Sequence, residues 1–259
     1  MTGFARELAV AHELADLADA LTLPAFRGRL DVATKDDGTW VTTVDREVER
    51  TLRRELRSRF PGHAFLGEED GRDGPESAPT WIVDPIDGTT NFVKGNPIFA
   101  TLIALQDGGQ ELVGVVSAPA LGSRWDGARS GPAHQDGREV RVSAITDLAD
   151  AEIAFGGLRY FTERRIEAAV AALTGRTRRQ RGYGDFWQHC LVAAGSTDVA
   201  IEAEVNLWDL AAVKCVVEAA GGRFTSLDGA VTADGGSALS SNGHLHDEVL
   251  AILDSARHG

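Results

Sequence analysis

The feature that most constrains this chain is an apolar segment that ends in two aspartates and a Gly-Thr-Thr turn. It reads Trp-Ile-Val-Asp-Pro-Ile-Asp-Gly-Thr-Thr-Asn-Phe over residues 81–92. The apolar part is typical of a buried β-strand, and the turn after it is suited to opening a helix. Asp84 and Asp87 can share a hard cation such as Mg²⁺, which prefers oxygen ligands. The free backbone N–H groups of residues 88–90 would favour an anion such as phosphate beside that cation.

Each acidic residue also has an explanation that involves no metal. Asp-Pro and Asp-Gly pairs are common turn formers, so an Asp-x-x-Asp motif is found in many surface loops. Asp45 and Asp209 each fall in the first turn of a predicted helix, where the helix dipole alone favours a carboxylate. The Glu-Glu-Asp cluster of residues 68–70 follows a predicted strand at 64–67, and acidic loops are usually solvated. The residues taken one by one leave both interpretations open.

Length and charge narrow the classes of function. With 259 residues, 43% of them hydrophobic, the chain can bury the core of one large domain or of two closely joined halves. A net charge of −13 argues against binding to nucleic acid or to an anionic membrane. The sequence has no apolar span long enough for a bilayer, and residues 1–6 lack a signal-peptide pattern, so we expect a cytoplasmic protein. Cys190 and Cys215 lie in apolar helical patterns and are predicted to be core thiols.

Periodicity predicts a layered α/β (α+β) protein. Residues 4–27 and a segment from Val44 to Leu56 have helical spacing, with Thr42 or Thr43 as the N-cap of the second helix. Residues 99–105 and 111–117 have the pattern of a β-hairpin. Strands and helices then alternate, which favours an α/β architecture. The predicted elements are strand 152–155, helix 163–173, helix 185–194, strand 199–203, helix 207–220 and helix 247–253. We predict an N-terminal half at 1–138 and a C-terminal half at 139–259.

Three motifs together carry a family resemblance. They are the segment at 81–92, Gly-Glu-Glu at 67–69 and Trp-Asp-Leu-Ala-Ala at 208–212. In these motifs, and in their order along the chain, the sequence resembles the inositol monophosphatase-like family of metal-dependent, lithium-sensitive phosphatases. The resemblance implies an alternating α-β-α-β-α sandwich of the sugar-phosphatase type. Because relatives commonly pair, it also implies a homodimer that acts on a small phosphate ester.

The same resemblance implies roles for individual residues. Thr89, supported by Asp45, would orient and activate the attacking water, and Glu68 would share in catalysis. The amides of Gly88 and Thr89 would hold the phosphate. Water activated by metal ions would then hydrolyse the ester without a covalent phosphoenzyme. The expected ligands of two or three Mg²⁺ ions are Glu68, Asp84, the carbonyl of Ile86, Asp87 and Asp209.

A segment of the second half suggests the substrate. Residues 181–190, with their Tyr-Gly-Asp-Phe sequence, look most like the histidinol-phosphate phosphatases within that family, which serve histidine biosynthesis. Histidinol phosphate carries an ammonium and an imidazole, which Asp185 and Glu202 could bind. Arg181 would clamp the phosphate or orient Glu202. The expected substrate contacts are Asp87, Gly88, Thr89, Arg181, Asp185, Glu202 and Asp209. For Asp185, a helix N-cap remains the alternative.

Two other functions remain open at this point. A phosphatase for inositol 1-phosphate would use the same metal site but needs contacts to hydroxyl groups rather than a fixed counter-charge. A regulatory partner with the shape of a phosphatase needs no metal ligands, and the full acidic set argues against that role. A 3′-phosphonucleotide phosphatase is disfavoured because the sequence shows no extra basic pocket for a second phosphate.

Overall fold

The computed structural model describes residues 3–36 and 38–255. Met1, Thr2, Asp37 and the last four residues lie outside the described residues. They include part of the segment 1–6, which was predicted to lack a signal-peptide pattern, and the end of the predicted C-terminal half.

The helices, in chain order, are α1 Ala5–Ala25, α2 Thr43–Arg59, α3 Thr89–Val93, α4 Leu158–Glu163, α5 Glu167–Gly175, α6 Asp185–Ala193, α7 Leu207–Ala219 and α8 His246–Ser255. A 3-10 turn covers Leu148–Asp150.

The strands of the first half form one large sheet and a small hairpin. The hairpin is β1 Val32–Thr34 and β2 Trp40–Thr42. The large sheet has eight strands in the order β10-β9-β8-β7-β6-β5-β3-β4. Its members are β3 Ala64–Gly67, β4 Gly71–Asp73, β5 Thr80–Asp87, β6 Ala100–Asp107, β7 Gln110–Ala118, β8 Ser123–Ala128, β9 Ala133–Gln135 and β10 Arg138–Val140.

The second half contributes a five-stranded sheet in the order β12-β11-β13-β15-β14. Its strands are β11 Glu152–Phe155, β12 Arg179–Gly182, β13 Val199–Glu202, β14 Arg223–Thr225 and β15 Ala238–Ser241. β12, β11 and β13 run parallel, and β15 is antiparallel to its neighbours. The boundary predicted at 138/139 falls inside β10, the last strand of the first sheet. The division into two halves stays a prediction.

The side chains of β5 show how the layers are arranged, because alternate residues of a strand face opposite sides. Trp81 and Val83 pack with α1 and α2, whereas Ile82 packs with α6 and α7. Those two helices also contact the second sheet, where Val192 of α6 packs on Ala154. The outer face of the second sheet packs with α4, α5 and α8. The order of layers is α-β-α-β-α, so the predicted sandwich is confirmed.

Two local predictions were wrong. The helix predicted at 163–173 begins only at Glu167, in α5, because Arg165 adopts a positive φ of 59° after the end of the separate helix α4. Residues 71–79 are rich in Gly, Pro and Ser, a composition that predicts a flexible loop, but this segment begins with the short strand β4.

Candidate active site

A bulge in β5 brings the two aspartates of the central motif together. Asp84 pairs with Leu102 and Asp87 with Ala100, so three steps on β5 oppose two on β6. In a regular strand, residues three apart face opposite sides, and a bulge of one residue removes that difference. As a result, carboxylate oxygens of Asp84, Asp87 and Asp209 all lie within 4.8 Å of one another. Two separate parts of the sequence, at 84–87 and at 209, therefore converge on one acidic cluster.

Backbone N–H groups hold both aspartates of the motif. Asp84 Oδ1 accepts a hydrogen bond from the Ile86 N–H at 2.9 Å, within the bulge itself. Asp87 Oδ2 accepts one from the Phe186 N–H at 2.7 Å, in the first turn of α6. The first N–H groups of a helix lack partners within the helix. The hydrogen bond from Phe186 therefore orients the Asp87 carboxylate, and it also gives a partner to one of the free N–H groups at the start of α6.

Asp209 combines the two roles that the sequence left open. It is the third residue of α7, and its Oδ2 accepts a hydrogen bond from the Asn206 N–H at 2.7 Å, as one half of a capping box. The capping interaction uses one carboxylate oxygen and leaves the other available to the cluster. Helix capping and a place in the acidic cluster are therefore compatible.

Burial and mutual repulsion raise the pKa of all three carboxylates. Burial, reinforced by the charges of Glu68, Asp87 and Asp209, raises the pKa of Asp84 well above its usual range. Burial and the charges of Asp185 and Asp209 do the same to the pKa of Asp87. Burial raises the pKa of Asp209 to about 7. Buried like charges are costly without a counter-charge, and the donors are all oxygens. The cluster thus fits a hard divalent cation.

Glu68 stands beside this cluster on the turn after β3. Its negative charge contributes to the raised pKa of both Asp84 and Asp209. Lys35 Nζ lies 2.7 Å from an oxygen of Glu68 and 2.7 Å from an oxygen of Glu69. Burial alone would lower the pKa of Lys35, but the hydrogen bonds to these two carboxylates outweigh it and raise that pKa. The sequence reasoning gave Lys35 no role, because a lone lysine in a polar turn carries no signal of its partners.

Thr89 and Asp45 lie at the outer limit of hydrogen-bonding distance from each other. Asp45 is fully buried, and its Oδ2 accepts a hydrogen bond from the Thr42 N–H at 2.8 Å, so Thr42 is the N-cap of α2. Its other oxygen, Oδ1, lies 3.5 Å from Thr89 Oγ1, which also lies 3.0 Å from the Ile86 carbonyl oxygen. Burial raises the pKa of Asp45, partly offset by the hydrogen bonds from Thr42. Again one carboxylate oxygen caps a helix and the other faces the candidate site.

Gly88 opens α3 with a left-handed backbone, at φ 78° and ψ 38°. A Cβ at this position would lie 2.9 Å from the Ile98 carbonyl oxygen and 3.4 Å from Asp185 Oδ2. Both the conformation and the lack of space require glycine here. The turn therefore exposes its backbone at the acidic cluster without a side chain in the way.

Two carboxylates of the second half lie next to this cluster. Asp185 is the first residue of α6 and accepts a hydrogen bond from Asn91 Nδ2 at 2.9 Å. The charges of Asp185 and Glu202 both contribute to the raised pKa of Asp87, and burial raises the pKa of Asp185 to about 7. The N-cap of α6 is Gly184, and it makes no capping bond through a side chain. Asp185 therefore faces α3 and does not cap its own helix.

Glu202 is oriented by two side chains of α6 for which the sequence predicted no role. Gln188 Nε2 donates a hydrogen bond to Glu202 Oε2 at 3.0 Å, and His189 Nε2 lies 3.2 Å from the same oxygen. His189 Nδ1 lies 2.6 Å from Ser240 Oγ. Gln188 and His189 occur in an apolar helical pattern, which predicts core residues and gives no indication of their contact with Glu202.

The candidate site thus has two parts. Asp84, Asp87 and Asp209 form the metal side, and Asp185 and Glu202 form the substrate side.

Arg181 has a different environment. It is exposed on the edge strand β12, and its guanidinium donates a hydrogen bond to the Gln180 carbonyl oxygen at 2.7 Å. Among the described residues, no ion pair or hydrogen bond joins it to Glu202. Its role toward phosphate or toward Glu202 stays a prediction.

A layered α/β sandwich with a buried cluster of acidic oxygens beside a glycine turn is the arrangement of a metal-dependent phosphoric ester hydrolase. Residues 5–258 match the model of the inositol monophosphatase family. A Mycobacterium tuberculosis histidinol-phosphatase is 47% identical, over 96% of this chain and 98% of its own length. A histidinol-phosphatase of Streptomyces coelicolor is 42% identical, over 98% of this chain and 99% of its own. A solved structure of a Thermotoga maritima IMPase superposes with a TM-score of 0.87 at 32% identity, covering 97% of this chain and 98% of that one.

The chain belongs to the inositol monophosphatase family. Membership identifies it as a phosphomonoesterase, in a family whose members generally depend on a metal ion and act on small phosphate esters. The predictions of the family, of the fold and of the enzyme class are confirmed. In the part of the chain that the structure describes, no helix is both long and apolar enough to cross a membrane.

Proposed function

We propose that this protein is a Mg²⁺-dependent phosphatase that hydrolyses L-histidinol phosphate to L-histidinol and phosphate, a step of histidine biosynthesis. The observation that carries the choice of substrate is the pair of carboxylates on the substrate side, Asp185 and Glu202, next to the metal side. The names of the Mycobacterium and Streptomyces relatives support the same substrate. We further propose that the protein binds two or three Mg²⁺ ions, forms a homodimer and acts in the cytoplasm.

The residues proposed to hold the metal all offer oxygen. A bound Mg²⁺ ion would supply Lewis-acid chemistry, because it neutralises phosphoryl charge and acidifies water. Each aspartate of the metal side has one oxygen engaged by a backbone N–H, which orients the carboxylate and leaves its other oxygen available as a ligand. The proposed ligands are Glu68, Asp84, the Ile86 carbonyl, Asp87 and Asp209.

Thr89 and Asp45 are proposed to orient the attacking water and accept its proton. Thr89 Oγ1 has one proton, which it can donate either to Ile86 O at 3.0 Å or to Asp45 Oδ1 at 3.5 Å. When the proton points to Asp45, the lone pairs of Thr89 Oγ1 are free to accept a hydrogen bond from water. Asp45 is suited to hold a proton because burial raises its pKa. The N–H groups of Gly88 and Thr89 would bind the phosphoryl oxygens.

The substrate side is suited to a cationic group. Asp185 has a pKa of about 7, raised first by burial and then by the charge of Glu202. An ammonium or imidazolium placed between these two carboxylates would offset both effects and make charge-assisted hydrogen bonds. A polyol would bring no such charge and would leave the two carboxylates in mutual repulsion.

Inositol 1-phosphate is the second candidate substrate. The observation that favours it is a relative from Thermotoga maritima named fructose-1,6-bisphosphatase/inositol-1-monophosphatase, which is 35% identical over 88% of this chain. The metal side would be used in the same way, so only the substrate side distinguishes the two candidates.

A side-by-side assay tests the proposal. Phosphate release from histidinol phosphate and from inositol 1-phosphate is measured with the purified protein in Mg²⁺, and again in a chelator as the control. We expect kcat/KM to favour histidinol phosphate about ten- to a hundredfold, the value of a charged hydrogen bond. A preference for inositol 1-phosphate would overturn the substrate. Absence of phosphate release from both esters in Mg²⁺ would overturn the enzymatic activity.

A further inference from the structure

A buried glutamate lies under the turn that carries Glu68. Glu49 is on the inward face of α2 and has no exposed surface. Its Oε2 accepts a hydrogen bond from the Glu69 N–H at 2.7 Å, and its Oε1 accepts one from the Asp70 N–H at 3.0 Å. The turn immediately after Glu68 is therefore held through its backbone by a side chain about twenty residues earlier in the chain.

A second group strengthens this support. Arg53, one turn further along α2, donates from Nη2 to Glu49 Oε1 at 2.8 Å and to the Gly71 carbonyl oxygen at 2.9 Å. The guanidinium also lies over the ring of Phe65, 4.3 Å from its centroid. At Gly67, a Cβ would overlap the Glu49 carboxylate. Glycine at that position lets the carboxylate approach the turn.

This arrangement addresses an electrostatic problem. Glu68, Glu69 and Asp70 are three consecutive acidic residues, and the first stands beside the buried metal side. The negative charges of these side chains repel one another and that of Asp84. Repulsion would therefore displace the turn from Asp84 if hydrogen bonds did not hold its backbone. Lys35 binds the side chains of Glu68 and Glu69, whereas Glu49 binds the backbone. The two supports act on different parts of the same turn.

We propose that Glu49 is a positioning residue that fixes the turn at 67–71 so that Glu68 faces the divalent cation. The inference rests on the proposed role of Glu68 as a metal ligand. Groups that orient metal ligands typically contribute about ten- to a hundredfold to metal affinity. A carboxylate that served only the packing of α2 would contribute to folding stability and leave metal affinity unchanged.

The test compares Glu49→Gln with Glu47→Gln. Glutamine has one acceptor oxygen, so its NH₂ group faces either the Glu69 N–H or both the Asp70 N–H and Arg53. In either orientation one of the two amide hydrogen bonds is lost. Glu47 is exposed on the same helix, which makes Glu47→Gln a control for the same chemical change. We measure Mg²⁺ binding by calorimetry without substrate, amide hydrogen exchange at residues 69 and 70, and the Mg²⁺ dependence of activity.

For Glu49→Gln we expect Mg²⁺ binding to weaken about tenfold or more. Exchange at the two amides should be faster, and kcat at saturating Mg²⁺ should return to within a few-fold of the parent. Glu47→Gln should match the parent in all three. If folded Glu49→Gln binds Mg²⁺ as the parent does, the inference is overturned. If that variant does not fold, Arg53→Met decides in its place, because methionine can pack on Phe65 but donates no hydrogen bond to Glu49 or to Gly71. Unchanged Mg²⁺ binding in folded Arg53→Met would then overturn the inference.

One more variant separates this inference from the proposed function. If Glu68→Gln weakens Mg²⁺ binding and Glu49→Gln does not, only the role of Glu49 is wrong. If Glu68→Gln leaves Mg²⁺ binding unchanged, the assignment of Glu68 as a ligand is wrong, and the inference about Glu49 is overturned with it.

Discussion

The metal side and the substrate side of the candidate site are held in different ways. On the metal side, each aspartate accepts a hydrogen bond from a backbone N–H. That N–H lies two residues from Asp84 and three from Asp209, and for Asp87 it belongs to Phe186, 99 residues away. On the substrate side, Asp185 depends on the side chain of Asn91, 94 residues away, and Glu202 depends on two side chains of α6. The metal side is thus held by the backbone, and the substrate side by side chains.

This difference indicates how each side responds to change. The metal side should resist side-chain exchange because its partners are backbone N–H groups of a bulge and of helix starts, which a substitution of most residues leaves in place. The substrate side is adjustable because its carboxylates are oriented by side chains that can be exchanged one at a time. A family can therefore keep one chemistry and alter the substrate, and variants of the two sides should fail in different ways.

The largest expected effect is that of Asp209→Asn. Asparagine retains an oxygen that can accept from the Asn206 N–H, so the capping box of α7 and the fold should persist. The loss of one negative charge should weaken metal binding and reduce kcat/KM by at least about a hundredfold, since even supporting groups of metal ligands are worth about ten- to a hundredfold. Circular dichroism and steady-state kinetics with each phosphate ester provide the measurement. Retained turnover would show that the assignment of the metal side is wrong.

A smaller and more selective effect is expected from Glu202→Gln. The glutamine keeps the shape of the side chain, but it removes a charge that the proposed substrate's cationic group would meet. We expect the KM for histidinol phosphate to rise about tenfold, with a kcat close to that of the parent. For 4-nitrophenyl phosphate, which has no cationic group, kcat/KM should stay within a few-fold. An equal loss for both esters would place Glu202 in the common chemistry of the site and would erase the distinction between the two sides.

The sequence signals that predict the metal side are local. The residues from Asp84 to Thr89 form one motif, and the capping positions of Asp45 and Asp209 follow from helix starts. The prediction from sequence did not include the bulge that aligns Asp84 with Asp87. Its local signal is Pro85, because a proline inside a central strand is found at bulges. The motif alone named both residues.

The sequence did not predict the residues that orient the site through hydrogen bonds. Gln188 and His189 have the pattern of an apolar helix face. Glu49 is one of many charged residues in α2, which is rich in both Arg and Glu. Each acquires its role from a partner in another element. The late start of α5 was missed for another reason, because Arg165 before it has a positive φ of 59°, a conformation that arginine rarely adopts.

The smallest expected effect concerns stability, and it compares the two sides directly. Asp209 and Asp185 each have a pKa of about 7, against a value near 3.9 in an unfolded chain. Between those values the folded protein binds more protons than the unfolded one, so the free energy of unfolding falls as pH rises. In a chelator we therefore expect the Tm to decrease by a few degrees between pH 5.5 and 7.5. Asp209→Asn and Asp185→Asn should each flatten that slope.

Added Mg²⁺ should then separate the two variants. A cation bound to ionised carboxylates stabilises the folded state most at high pH, so it should raise the Tm of the parent more at pH 7.5 than at pH 5.5. Asp185→Asn should keep this stabilisation because Asp185 lies on the substrate side. Asp209→Asn should lose most of it because a ligand is missing. Thermal unfolding at both pH values, with and without Mg²⁺, measures all four cases. A Tm that rises with pH in the chelator, or an equal response of both variants to Mg²⁺, would contradict the division into two sides.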